Sequence, residues 1–332
     1  MPGRDLLDSI PRPTVLPTRR GPNRGDGQTV SLSALPASER VRVRTLYAFL
    51  VDLQHKLDPC ADDPAAAFAA VAALDEATVG AVFDTAQSLG VDLQGATGEV
   101  RKAMHDVRGG SLTALLTHVD LIHDGIAGPV DAERVHLLVR DHLKMMRNAL
   151  FDLDPDRYTA DLVDREHGMD LLRAKWTRTT WPVAGRQARV HLDSDFAGSV
   201  SERCMEFSSL DRVLYNLVNN AGRFAADGQV TLIADAVDAA RDTHLRFAVI
   251  NPVGPDQSAA LRARFGGDLS TVFEGGFTTG GHGLGTRICA DLVRHAYGLV
   301  SVQKALTQHI LGAELVADHY VAWFHWPAMR AG

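Results

Sequence analysis

The chain has 332 residues, of which 45% are hydrophobic and 23% charged, a composition that excludes wholesale disorder and allows two or three compact units. Its formal net charge of -7 does not favour a nucleic-acid partner. The three cysteines have no metal-ligand spacing, and no stretch approaches the roughly 20 apolar residues that cross a bilayer. We therefore expect a cytoplasmic protein without membrane insertion.

The first part of the chain carries no residues with evident chemistry. Residues 1–30 are rich in Pro, Gly and Arg and lack apolar periodicity, so they predict a disordered tail. A helical pattern starts near Ser38, and a second, Ala-rich one covers residues 65–89 after a Pro-containing break. By position, we assign residues 31–96 to a helical input or dimerisation region.

A helical hairpin is predicted over residues 97–155. Residues 125–129 form a tight connection between two helices, each of which has one apolar side. We call these sides together the hairpin stripe: Val100, Met104, Val107, Leu112, Leu115, Val119 and Ile122, then Val135, Leu138, Val139, His142, Met145, Met146 and Leu150. One hairpin alone would leave this stripe in water. Two copies could bury it in a four-helix bundle, so the pattern predicts a homodimer.

The rest of the chain, residues 156–330, alternates short β-like runs with helical ones. This mixture predicts an α/β sandwich of the usual size of one domain. The predicted strands are 189–192, 230–234, 245–250, 299–303 and 321–326, and the predicted helices are 210–224 and 285–297. The whole chain is thus predicted to be α+β, with a dimeric helical-hairpin domain followed by an α/β sandwich.

One predicted helix of this sandwich presents amide side chains. Asn216 and Asn220 are four residues apart and share a helix face, and Arg223 lies one turn further on. Amide oxygens suit a hydrated Mg²⁺, and the arginine suits a phosphate. A solvated amphipathic helix explains this segment alone about as well.

Two further segments contain turns that suit a nucleotide. Clustered glycines from Gly275 to Gly285 precede a helical run, and such glycines expose backbone N–H groups to a polyphosphate at the helix N-terminus. Asn251 to Gly254 form a turn directly after a predicted strand. A lone glycine cluster is more often a flexible loop, but this one lies where the helix begins.

In order and spacing these segments resemble the ATP-binding domain of histidine kinases, a fold shared with Hsp90-type chaperones, type II topoisomerases and MutL. Residues 216–224 resemble the N box, 251–254 the first glycine box, 273–277 the F box and 281–285 the second glycine box. The resemblance implies ATP and Mg²⁺ as cofactors, with residues 255–282 as the ATP lid. It assigns nucleotide or metal contacts to Asn216, Asn220 (the Mg²⁺ ligand), Arg223, Phe224, Asn251, Gly254, Gly281, Gly283, Leu284, Gly285 and Thr286.

Asn251 departs from the family pattern, in which an aspartate accepts a hydrogen bond from the adenine amino group. An amide oxygen can accept the same bond without charge. Bonds to charged groups exceed neutral ones by roughly 1 kcal/mol, which predicts roughly fivefold weaker nucleotide binding with recognition retained.

The hairpin contains a second motif, His105-Asp106, followed by Arg108 and Gly109-Gly110. A neutral histidine can attack a phosphate, and a neighbouring carboxylate can hold Nδ1–H and accept positive charge. The motif resembles the H box of histidine kinases, which implies that His105 is the phosphoacceptor and Asp106 the acid/base residue. By the same resemblance, the glycines stand where the family often has a proline kink. Phosphatase-competent members of the family usually have Thr or Asn four residues after the histidine, and Gly109 at this position cannot orient a water for that reaction.

Together the motifs predict a cytoplasmic protein-histidine kinase of a two-component system. It would phosphorylate His105 from ATP and pass the phosphoryl group to an aspartate of a response regulator. The alternative is a histidine phosphotransferase that has lost ATP binding and relays phosphate between regulators. An isolated His-Asp pair would more often be a surface feature of a helix. The four boxes downstream favour the phosphoacceptor interpretation of His105 instead.

Overall fold

A computed structural model describes residues 4–17, 29–183, 186–239, 242–266, 268–275 and 284–331. These residues divide into two compact units. The helical unit lies between residues 27 and 163, and the α/β unit follows from residue 164 and includes residues 4–17. The predicted α+β class is confirmed. Along the chain, the second unit begins at Asp164 and not at residue 156. The predicted regions 31–96 and 97–155 belong to one unit.

The helices and strands of the described residues are as follows in chain order: α1 (Arg4–Leu7), α2 (Ala37–Leu57), α3 (Pro64–Ala72), α4 (Glu76–Ser88), α5 (Gly98–Val107), α6 (Gly110–His123), α7 (Pro129–Ala149), α8 (Pro155–Asp161), β1 (Asp164–Gly168), α9 (Met169–Trp176), β2 (Thr179–Val183), β3 (Arg186–Asp193), β4 (Gly198–Arg203), α10 (Cys204–Phe224), β5 (Gln229–Ala239), β6 (Asp242–Pro252), α11 (Pro255–Phe265), α12 (Gly285–Ala296), α13 (Val302–Thr307), β7 (Leu311–Val316) and β8 (His319–Arg330). Short 3-10 helices cover Leu32–Ala34, Asp58–Cys60 and Ser270–Glu274.

The helical unit is built around the predicted hairpin. Its first arm is broken into α5 and α6 at Arg108 and Gly109, and α7 returns alongside both. The Ala-rich pattern at 65–89 forms two helices, α3 and α4, because Asp75 caps a new helix by accepting a hydrogen bond from Thr78 N–H. In the described residues no single helix is long and apolar enough to span a bilayer, although the bent pair α3 and α4 together meets the length and hydropathy criteria.

The hairpin stripe is covered within one chain. All its side chains are at most 4% exposed. α2 and α3 pack on α7, and α3 also packs on α6. The homodimer was predicted because the stripe had no partner, and that reason no longer holds, since helices far away in sequence supply the partner. The homodimer stays a prediction without this support.

The eight strands of the described residues form one curled sheet. Its order is β1-β4-β8-β6-β5-β3-β2, and β7 pairs with the other end of β8. β3 and β5 are parallel, and the remaining pairs are antiparallel. The long helix α10 packs against β3, β5 and β6, and α12 packs against α10 and β8. This layer carries the motifs of the candidate nucleotide site.

The other sheet face is partly covered by residues 4–17, and the predicted disordered tail needs correction there. Leu7 and Ile10 are 5% and 3% exposed and join a buried cluster that includes Ile233, Ile250 and Trp323. Arg4 pairs with Asp193 and Asp195 in addition. The segment is ordered because its few apolar residues meet an apolar sheet face, which local composition does not reveal. Residues 18–28 lie outside the described residues.

One predicted strand is wrong. Residues 299–303 precede and begin helix α13, in which the Ser301 hydroxyl accepts a hydrogen bond from Lys304 N–H. Val302, Ala305 and Leu306 are buried at helical spacing. A short apolar run is ambiguous between strand and helix, and here the cap decides for helix. The sequence interpretation also missed β1, β2, β4, β7, α8, α9 and α11.

Candidate functional site

Helix α10 turns its amide side chains away from the core. Its buried side includes Leu214, Leu217, Val218 and Ala221, whereas Asn216 and Asn220 are partly exposed. Asn219, between them, accepts a hydrogen bond of 2.7 Å from the indole Nε1–H of the buried Trp181. This bond ties the amide-bearing end of α10 to strand β2 and limits rotation of the helix about its axis.

Gly222 allows α10 to lie close to the sheet. A Cβ atom on this residue would be 2.9 Å from Ala188 Cβ and 3.0 Å from Val183 Cγ1. Both atoms belong to strands, which cannot move freely. A glycine is therefore required here for close contact, although glycine is unfavourable in the middle of a helix.

The start of α12 meets the face of α10 that carries Asn216. A Cβ on Gly285 would be only 3.2 Å from Asn216 Oδ1. The Thr286 hydroxyl donates a hydrogen bond of 2.7 Å to the carbonyl of Val272, which fixes this end of α12 to the 3-10 helix of the F-box segment. Three segments distant in sequence thus come together. Leu284, partly buried, directly precedes the helix, and Gly281 and Gly283 lie outside the described residues.

Asn251 is buried at the end of β6 and has an unused acceptor. Its Nδ2 donates to the carbonyl of Pro252 at 3.1 Å, while Oδ1 has no hydrogen-bond partner among the described residues. A buried polar atom without a partner costs roughly 1–3 kcal/mol, so such atoms often mark a ligand site. Asn251 can therefore accept a hydrogen bond from a bound base.

A cleft of about 450 Å³ opens beside the C-terminal end of α10. Its lining includes three residues that the sequence singled out, Arg223, Phe224 and Gly254, and two that it missed, Arg186 and Gln257. The Arg223 guanidinium lies 5.5 Å from the centre of the Phe224 ring. The cleft therefore combines cationic side chains with an aromatic ring. Gln257, two residues after the Gly254-Pro255 turn, could have been suspected, but nothing local marks Arg186.

The first part of the predicted lid, residues 255–282, contains helical structure. Residues 255–265 form α11, and Ser270–Glu274 form a 3-10 helix with Phe273 buried. Pro255 is favourable in the first turn of a helix, and Gly266 (φ +74°) ends it. Residues 276–283 of the predicted lid lie outside the described residues.

The second candidate site lies in the helical unit and contains His105. The ring is partly buried, with 25% of the side chain exposed, and Nδ1 is buried. The nearest Asp106 oxygen, Oδ1, lies 3.6 Å from Nδ1, which is longer than a hydrogen bond. Asp106 itself is buried. The expected hydrogen bond between the pair is therefore absent, although the two side chains lie close together.

Gly109 makes the break after His105. A Cβ on Gly109 would lie 3.0 Å from the Asp106 carbonyl oxygen and 3.4 Å from that of His105. The Gly109 N–H donates to the Asp106 carbonyl, three residues back, so the regular helical pattern stops here. The expected bend at the two glycines is present.

A buried histidine lies under this break. His142 of α7 is fully buried, and its Nδ1 is 2.8 Å from the Ser111 hydroxyl in the first turn of α6. Burial lowers the pKa of His142 to about 4, so the ring is neutral at physiological pH. The sequence interpretation treated His118, His123, His136 and His142 as packing or surface residues, and the described residues contain no metal-binding group of three His, Cys, Asp or Glu side chains.

A known family matches part of the α/β unit. Residues 206–317 match the family described as "Histidine kinase-, DNA gyrase B-, and HSP90-like ATPase". The match includes α10, the end of β6, the F-box segment and the start of α12. The match covers about a third of the chain. The resemblance to the ATP-binding domain of histidine kinases is confirmed.

Three solved structures are similar to this chain at low sequence identity. Full-length ShkA in complex with AMPPNP is 18% identical, with 67% of this chain and 43% of that chain covered and a TM-score of 0.31. The catalytic domain of histidine kinase ThkA is 20% identical, with 41% of this chain and 77% of that chain covered and a TM-score of 0.26. A histidine kinase from Burkholderia phymatum STM815 is 15% identical, with 70% of this chain and 99% of that chain covered and a TM-score of 0.29. A search of curated proteins found no match.

Proposed function

We propose that this chain is an ATP-dependent histidine kinase that phosphorylates its own His105 and passes the phosphoryl group to an aspartate of a response regulator. The observation that carries the proposal is His105: a partly exposed ring beside a buried carboxylate, in a chain that also matches an ATPase family. We further propose the cytoplasm as its location, in keeping with free cysteines of which Cys204 and Cys289 are buried.

The α/β unit has the groups that a nucleotide requires. Asn251 Oδ1 lacks a donor and suits the adenine amino group. Arg223 and Arg186 bring positive charge to the cleft, and the first turn of α12 offers backbone N–H groups to phosphates. Asn220, supported by Asn216, would hold Mg²⁺ through its amide oxygen. When bound, Mg²⁺ would supply positive charge that offsets the negative charge of the phosphates.

The chemistry at His105 follows from its two ring nitrogens. The neutral ring would carry its proton on the buried Nδ1, next to Asp106, which leaves the lone pair on Nε2. Nε2 forms a bond to the γ-phosphorus, the bond from that phosphorus to the β–γ bridging oxygen breaks, and ADP leaves with the electron pair. The Nδ1 proton of the resulting cation passes to Asp106.

Labelling with γ-phosphate-labelled ATP and Mg²⁺ tests the proposal. The wild-type chain should acquire acid-labile phosphate, and His105→Ala should acquire none. His55→Ala, which removes an exposed histidine of α2, serves as the matched control and should label like wild type. Asp106→Asn should label more slowly, since it cannot accept the proton. Equal labelling of His105→Ala and wild type would refute His105 as the acceptor.

Calorimetric measurement of nucleotide binding distinguishes the kinase from the alternative, a phosphotransferase that does not bind ATP. A kinase must bind a non-hydrolysable ATP analogue with Mg²⁺, and Asn220→Ala should weaken that binding. A chain that binds no nucleotide, yet accepts phosphate on His105 from a phosphorylated regulator, would instead be a relay protein.

A further inference from the structure

We infer that His142 is a positioning residue for His105. Its buried ring connects the end of α5 to the start of α6 and thereby sets the orientation of the His105 ring. The inference rests on the proposed function in one respect, that His105 is the phosphoacceptor.

The break between α5 and α6 deprives buried backbone groups of their regular partners. α5 ends at Val107 and α6 begins at Gly110. In a continuous helix each carbonyl accepts a hydrogen bond from the N–H four residues further on, so an interruption removes such partners from the carbonyls at its edge. Val107 is 0% exposed, and water therefore does not reach its carbonyl. A partner for this group has to come from the surrounding protein.

The ring of His142 in α7 contacts both sides of this break. Its Nδ1 lies 2.8 Å from the hydroxyl of Ser111, in the first turn of α6. The carbonyl of Val107, the last residue of α5, faces the same ring as a hydrogen-bond acceptor and opposes the fall in its pKa. One side chain thus connects the two helices. Both His142 and Ser111 are at most 1% exposed, so this connection is shielded from water.

Packing alone does not explain a histidine at this position. His142 is the one polar member of the hairpin stripe, and its neighbours on α7, Met145 and Met146, are buried apolar residues. Its second ring nitrogen, Nε2, has no hydrogen-bond partner among the described residues. An apolar side chain would fill the same space without a buried unpaired nitrogen. The contacts with Ser111 and Val107 are therefore what a histidine provides here.

The backbone that His142 connects is that of the His105 turn. His105 lies two residues before Val107, in the last turn of α5. The Gly109 N–H donates to the Asp106 carbonyl at 3.0 Å, so the break is bonded directly to the residue after His105. A shift of the break therefore rotates this backbone and changes the distance of 3.6 Å between His105 Nδ1 and Asp106 Oδ1. That distance decides how strongly the carboxylate favours a proton on Nδ1, which leaves Nε2 free to react.

Phosphoramidate, a small phosphoryl donor, tests this role on the full chain without the nucleotide site. Nε2 of His105 forms a bond to phosphorus, the phosphorus–nitrogen bond of the donor breaks, and ammonia leaves with the electron pair and a proton. Mass spectrometry of peptides gives the rate at each histidine, and the exposed His55 of α2 is the internal reference. Ser111→Ala should slow the reaction at His105 about fivefold, the effect of one neutral hydrogen bond, and leave His55 unchanged. Equal rates at His105 in Ser111→Ala and wild type would overturn the inference.

Three further variants separate the hydrogen bonds from the bulk of the ring. Thr113→Ala removes an exposed hydroxyl from the same turn of α6, and this matched control should react like wild type. His142→Leu keeps an apolar side chain without hydrogen bonds and should slow His105 at least as much as Ser111→Ala. His142→Asn has an amide that can donate and accept near the place of Nδ1, so it should react faster than His142→Leu, and the reverse order would overturn the inference. If circular dichroism shows that His142→Leu does not fold, the comparison of Ser111→Ala with Thr113→Ala decides.

The ring tautomer of His105 distinguishes a positioning role from a contribution to stability alone. Nitrogen-15 chemical shifts of this ring, assigned by comparison with His105→Ala, give the fraction of molecules with the proton on Nδ1. Ser111→Ala should lower this fraction in the folded protein, whereas a bond that only stabilises the helical unit would leave it unchanged, and that result would overturn the inference. If wild type fails to label from ATP, the proposed function fails, and the phosphoramidate rates with this fraction still decide the role of His142.

Discussion

Gly222 is a position at which helix propensity and packing predict opposite effects of the same substitution. Gly222→Ala should gain about 1 kcal/mol of stability from helix propensity alone. The added Cβ would however lie 2.9 Å from Ala188 Cβ and 3.0 Å from Val183 Cγ1. Overpacking of this kind costs roughly 1–3 kcal/mol, and moving α10 outward would also weaken the bond from Trp181 to Asn219, worth about 1 kcal/mol. We expect a net loss of about 1–2 kcal/mol in the free energy of unfolding.

Urea denaturation followed by tryptophan fluorescence measures this loss of stability specifically in the α/β unit, which contains Gly222. All four tryptophans, Trp176, Trp181, Trp323 and Trp326, lie in the α/β unit. The double variant with Ala188→Gly provides the control, since it removes one of the two clashing atoms. Gly222→Ala should cost about 1 kcal/mol less in that background. A higher midpoint for Gly222→Ala, or additive effects of the two substitutions, would refute the packing argument.

Three further predictions concern the buried histidine, the base contact and the kink. His142 has a pKa of about 4 in the folded chain in place of the ordinary 6.5, so between these pH values only the unfolded chain binds the proton. The free energy of unfolding should therefore fall by about 2 kcal/mol from pH 7 to pH 5, and it should fall by less in His142→Gln, as measured by urea denaturation followed by circular dichroism. Asn251→Ala should weaken binding of an ATP analogue about fivefold in calorimetry, because a neutral hydrogen bond is worth about 1 kcal/mol, and an unchanged affinity would contradict the base contact. In Gly109→Ala the Cβ would lie 3.0 Å from the Asp106 carbonyl oxygen, so this variant should label His105 several-fold more slowly than wild type, with nucleotide affinity unchanged. Equal labelling rates in the variant and wild type would contradict a role of the kink in the reaction.

The sequence predicted those features that depend on neighbours within about one helical turn. Residues 210–224 and 285–297 have strong helical periodicity, and both form helices, although α10 begins earlier than predicted, at Cys204. The central strands at 230–234, 245–250 and 321–326 have long apolar runs and are present as well. The bend at Gly109 was predictable because glycine's backbone preferences are local.

Other features depend on partners far along the chain, so local patterns could not reveal them. Arg186 reaches the cleft only because β3 lies beside β5 in the sheet. Residues 4–17 are ordered only because the sheet offers an apolar face to Leu7 and Ile10. The run at 299–303 was too short for its period to distinguish a strand from a helix.

The amino-acid sequence by itself determined which residues are candidates to hold a nucleotide, which histidine is the candidate phosphoacceptor, and where the helix that carries it is interrupted, because these features depend on residue chemistry and short spacings. Only the tertiary structure decided which surface covers the hairpin stripe, because burial of an apolar face is non-directional and accepts α2 and α3 of the same chain as readily as a second copy. That choice depends on shape, register and buried polar contacts such as that between Arg147 and Tyr47, which exist only once distant segments have met.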